Sequence, residues 1–126
     1  MGILNAFKKE EKSLSSFSKI TESIATLEEI HKNAANELMS PKERAKAVAV
    51  RDKLKDARKM LHSAEASASK KDIEKTYEHI SSAKKSIEEY ISAAGSFTPL
   101  VKFKEEAETL QVKLAELEHN AELGKL

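Results

Sequence analysis

From Leu100 to Ala121 the apolar residues Leu100, Phe103, Ala107, Leu110, Leu114, Leu117 and Ala121 recur in alternating steps of three and four. That spacing puts one apolar side chain per turn on a single stripe of an α-helix, whereas a strand would scatter the same residues over both faces. The repeat is a heptad seam, and such a seam is stable only when other helices cover it.

Three earlier segments show the same periodicity. The expected seams are Leu14, Phe17, Ile20, Ile24, Leu27, Ala34 and Leu38 in the first, and Ala47, Val50, Leu54, Ala57, Leu61, Ala64 and Ala68 in the second. In the third they are Ile73, Tyr77, Ile80, Ala83, Ile87, Ile91 and Ala94. With three glycines and two prolines in 126 residues, breaks are few and their positions are informative. Ser40-Pro41-Lys42-Glu43 is a capping box with proline at the first helical position. Gly95 suits a left-handed residue ending the third helix, Thr98-Pro99 a cap and start for the fourth, and Gly124 its close. Ser69-Lys70-Lys71-Asp72 is a weaker signal, read as a turn beginning with a Ser69 cap, although a continuous helix is the alternative.

These boundaries predict an all-α protein, an antiparallel up-down-up-down four-helix bundle with helices over 13–39, 41–68, 70–94 and 99–123. Residues 1–12 form a short N-terminal amphipathic extension. The length fits one domain.

Charge and chemistry exclude several function classes. The net charge is +1 although 34% of residues are charged, so no global field points to nucleic acid. Absence of cysteine removes disulfide and thiolate chemistry and suits a reducing compartment. No secretory leader is evident at the start and no stretch approaches the ~20 apolar residues of a membrane span, so a cytoplasmic location is expected.

Two Glu-x-x-His pairs, Glu28/His31 and Glu116/His119, raise the question of a carboxylate-bridged metal site. At 100° per residue, Glu116 and His119 point about 150° from the seam of their helix, toward water. His31 falls near the buried face of its helix, but it differs in height from His119 by about 18 Å. Metals of a dinuclear site lie ~3.5–4 Å apart, so the pairs cannot share one. His31 is therefore expected to be a hydrogen-bonded core residue, with a ligand or pH-sensing role as the alternative. His62 and His79 sit at the boundary of their helices. No metal, cofactor or catalytic constellation is expected, and no nucleophile elbow or Gly-rich phosphate loop exists.

Three surfaces remain. Ile3, Leu4 and Phe7, followed by Lys8, Lys9 and Lys12, would project past the bundle as a frayed end or flap, a docking helix, or a peripheral membrane contact. Ala45, Val48 and Ala49 point away from the second seam and suggest contact on two sides of that helix, within the monomer or between copies. The second helix carries eight Lys/Arg against four Asp/Glu, with Arg44, Arg51, Lys55, Arg58 and Lys59 on one flank. Pairing with acidic neighbours is the plainer explanation. An anion stripe for an acidic protein, phospholipid or nucleic acid is the sharper one, though no aromatic residue is interleaved for base stacking. The sequence thus favours a non-enzymatic interaction or scaffold protein acting through self-association or a protein partner, with anion binding as the alternative.

Overall fold

The computed structural model describes residues 2–124, with side chains from Phe17 onward. Four helices, α1 (Gly2–Leu38), α2 (Pro41–Ser69), α3 (Ile73–Gly95) and α4 (Lys104–Glu122), pack as an all-α four-helix bundle, with a 3-10 segment at Thr98–Phe103. Cross-helix contacts run in opposite orders along neighbours. Glu28 meets Arg58 while His31, further along α1, meets the earlier Ala47. Gly124 lies against Ile73 at one end of the α3–α4 pair and Gly95 against Lys104 at the other. The segment set apart as 1–12 continues α1 without a break from Gly2. Met1 and the side chains of Ile3, Leu4, Phe7 and Leu14 lie outside the described residues.

The turns form for reasons legible in their atoms. Ser40 Oγ accepts from the Glu43 N–H, and the Glu43 carboxylate accepts from the Ser40 N–H, which completes the capping box. The α2–α3 turn is a separate break, but its cap is Asp72 rather than Ser69. Asp72 accepts from the Lys75 N–H, while the Ser69 hydroxyl donates back to Glu65 O. Asp72 N–H bonds Ser67 O and Lys71 N–H bonds Ala68 O, the pairing of a Schellman motif. Lys71 takes its left-handed position at φ 59°, so a residue with a Cβ stands where glycine is usual.

The expected Thr98 cap is not formed. Phe97 occupies the N-cap position, and Thr98 and Pro99 open a 3-10 segment instead of an α-helix. Phe97, Leu100 and Phe103 are three apart, and at three residues per turn they eclipse on one face. All three are buried there. Gly95 is not left-handed either: α3 ends on it in helical geometry, and the Ser96 hydroxyl donates to Ser92 O and Ala93 O. Gly124 does adopt positive φ, 69°, and closes α4.

Along the core, the seam of α4 appears with every residue expected of it. In α1 the last position is wrong. Leu38 is 72% exposed, and Met39 turns inward because the helix has ended and the 3.6-residue phase no longer applies. In α3 the stripe is Thr76, Ile80, Ala83, Ile87, Tyr90 and Ala94. Ile73 and Tyr77 are exposed and Ile91 half-buried. Two polar-tipped residues hold core positions because each tip is satisfied: Thr76 Oγ1 donates to Asp72 O, and Tyr90 bonds His31. In α2 Ser67 is buried and Ala68 only partly so.

Candidate functional site

The bundle has four seams, and they are not alike. Between α1 and α2, Arg58 holds Glu28: Nη2 donates to Oε1 at 3.4 Å, and Nε lies 2.9 Å from Oε2 as an ion contact outside hydrogen-bond alignment. Between α2 and α3, Lys53 pairs with Glu89 at 2.8 Å. Between α3 and α4, Ser81 Oγ donates to Glu118 Oε2 at 2.6 Å and Lys84 Nζ to Oε1 at 3.1 Å. Burial works against that carboxylate, yet Ser81 and Lys84 outweigh it and hold Glu118 below the usual glutamate range. Among the described residues, no hydrogen bond or ion pair joins α1 to α4.

The α1–α4 seam is instead an open groove of about 540 Å³ beside Leu27 and Leu110, rimmed by Ser23, Thr26, Thr109 and Lys113. A second hollow of about 230 Å³ continues it past Ile20 and Leu117, sharing Lys19 and Lys113 with the first. Asn120 lies fourteen residues beyond Glu106 along α4, so the groove is about 21 Å long. Its floor is apolar and its walls mix Lys19 and Lys113 with Glu22, Glu106 and Glu116. The sequence reading missed this surface because an apolar stripe specifies that a helix is covered, not how tightly two of its neighbours close.

His31 sits where four elements meet. Its Nε2–H donates to Ala47 O of α2 at 2.9 Å, which leaves Nδ1 as the acceptor for the Tyr90 hydroxyl of α3 at 3.2 Å. Its ring stacks on Phe103 at the end of the 3-10 segment, with centroids 5.8 Å apart and planes 17° from parallel. Burial drives its proton affinity down, the Ala47 contact opposes that, and the Arg51 charge adds to it. Burial likewise pushes the Tyr90 hydroxyl up, with Glu106 acting in the same direction. The pair is thus held neutral, with both ring nitrogens satisfied. Its partners were not legible beforehand, since Tyr90 stands 59 positions away.

The other candidates are placed as follows. Glu28, the partner in the first Glu-x-x-His pair, is committed to Arg58, and Glu116 and His119 are exposed. Among the described residues no three His, Cys, Asp or Glu side chains converge as metal ligands do. Of the basic flank, Arg58 is paired and Arg44 Nε donates to Met39 O. Arg51 and Lys55 line a groove with Lys32 on one side and Glu28, Glu29 and Asp52 among them, while Lys59 is exposed. Ala45, Val48 and Ala49 are all exposed, so packing within the monomer does not consume that face. No helix among the described residues is long and apolar enough to cross a membrane. No protein-family model matches the chain, and no curated protein or solved structure matches it.

Proposed function

We propose that the protein is a non-enzymatic interaction module in which the α1–α4 seam receives an amphipathic helix, from a partner protein or from a second copy of this chain. The observation that supports this reading is the open α1–α4 seam, with Ile20, Leu27, Leu110 and Leu117 at its base and, among the described residues, no hydrogen bond or ion pair across it. A groove of that length matches about fourteen residues of helix, and helix-in-groove recognition lays one face of an amphipathic helix along such a groove. A cytoplasmic setting and self-association belong to the same proposal, with the outward Ala45, Val48 and Ala49 and the segment carrying Ile3, Leu4 and Phe7 as further contact surfaces.

Ser23→Arg with Thr109→Arg tests the proposal. Both positions rim the groove, so the fold is retained while entry is blocked. Sedimentation and proximity cross-linking should show a dimer or a defined partner with the native chain and its loss with the double variant. An association that survives the double variant would remove the seam from the proposal. Anion binding by Arg44, Arg51, Lys55, Arg58 and Lys59 is the weaker reading, because Glu28, Glu29 and Asp52 share the groove that Arg51, Lys55 and Arg58 line.

A further inference from the structure

We propose that His31 is a proton-operated clasp, which locks the C-terminal half of α1 onto α3 and the 3-10 segment while neutral and releases it on protonation. The clasp stands on the geometry of the node. In the neutral ring one nitrogen donates to Ala47 O and the other accepts from Tyr90, so each polar atom has one role and fills it. A proton on Nδ1 places a donor against a hydroxyl that is itself donating. Tyr90 must then turn its lone pair inward and give up the hydrogen bond that it donates to Nδ1. Ring stacking on Phe103 gives the new charge little compensation for lost water.

The charged surroundings do not rescue it. From α2 the facing charge is Arg51, of the same sign as the imidazolium. From α3 the facing group is the Tyr90 hydroxyl. At the 3-10 segment, Lys102 lies over the Phe103 ring, a second cation on that side. Within α1, Leu27, Ala34 and Ala35 are apolar neighbours one turn away, and Glu28 is held by Arg58. Glu106 at the start of α4 is the nearby carboxylate that acts on Tyr90, and it lines the open seam. The path of least resistance for a charged ring therefore leads toward that open seam, where Glu106 lies and, among the described residues, no hydrogen bond or ion pair holds α1 to α4. The Glu28–Arg58 tie keeps α1 on α2 meanwhile.

The inference does not depend on what, if anything, enters the groove, because its readout is the release of α1 and not association. Hydrogen exchange of the full chain, corrected for intrinsic rates, should show amides of residues 24–38 losing protection by up to about tenfold per pH unit below pH 6.5, while residues 54–64 and 80–94 keep theirs. NMR titration should find the His31 ring taking up its proton only below that pH. His31→Phe combined with Tyr90→Phe should abolish the acid response of residues 24–38. If that variant does not fold, His31→Gln, polar and non-titrating, takes its place. An acid response unchanged in the variant, or protection lost together in α1, α2 and α3, would overturn the clasp.

Discussion

The α2–α3 and α1–α4 seams are built from the same kinds of side chain and end up opposite in character. α2 presents Ala47, Ala57 and Ala64 alongside Val50, Leu54 and Leu61, and α3 answers with Ala83 between Ile80 and Ile87 and with Ala94 after Tyr90. Small residues let two backbones approach until the larger ones interlock, and these two helices share the most extensive helix–helix interface among the described residues. At the α1–α4 seam, Ile20 and Leu27 stand across from Leu110 and Leu117 without interleaved alanines, and among the described residues no rim side chain bridges the gap by a hydrogen bond or ion pair. Side-chain size at the contact, more than hydrophobicity, separates a closed seam from an open one.

The sharpest way to break this contrast is a pair of truncations. Leu54→Ala removes a fully buried side chain from a closed seam and should cost about 3–5 kcal/mol, while Leu110→Ala beside the groove should cost about 2–3 kcal/mol because its surroundings can collapse. Urea denaturation measures both, and equal costs would mean that the two seams are equally rigid.

His31→Leu ranks next, at about 1–3 kcal/mol near neutral pH, because it leaves the Tyr90 hydroxyl buried without its acceptor. In the native chain the unfolded state takes up the His31 proton first, since burial lowers the affinity in the fold. The stability that neutral His31 contributes is therefore complete above about pH 6.5 and is lost as pH falls from there toward the lowered folded value. Thermal melts from pH 7.5 to 5 should show that loss in the native chain and not in His31→Leu.

Glu118→Ala should cost about 1 kcal/mol by removing the acceptor of both Ser81 and Lys84, the tie that the α1–α4 seam lacks. The Glu118 contribution is present above about pH 4.5 and fades as pH drops below it, because its carboxyl is held low in the fold. A smaller contrast lies in the glycines. Gly124→Ala, at positive φ and with Ile73 Cδ1 3.4 Å from the new Cβ, should destabilise by about 1 kcal/mol. Gly95→Ala meets only Lys104 Cδ at 3.6 Å in helical geometry and should stabilise by about 0.4–1 kcal/mol. Melting temperatures that move in the same direction for both would contradict the backbone geometry at one of them.

How much was legible varied with chemistry. The seam leading into α4 could be read in full, though not the 3-10 start before it, because that seam steps regularly with no competing stripe. α3 could not. Tyr77 and Tyr90 are indistinguishable as letters, and the choice between them rests on where His31 offers an acceptor. The α2–α3 break was visible only faintly because its left-handed residue is Lys71, and a Schellman turn without glycine carries no sequence marker. At the candidate site, His31 could be picked out as a histidine on an apolar face. The open groove could not, since it is a property of two helices that the chain places at its opposite ends.

By itself the sequence determined four helices, the residue types that line their common axis, and the Ser40 capping box, because each depends on neighbours within one or two turns. Only the tertiary structure decided which seam closes, which tyrosine is buried and what satisfies His31. Those outcomes turn on distances between side chains far apart in the chain, where packing volume and the need to pair every buried polar atom outweigh local preference.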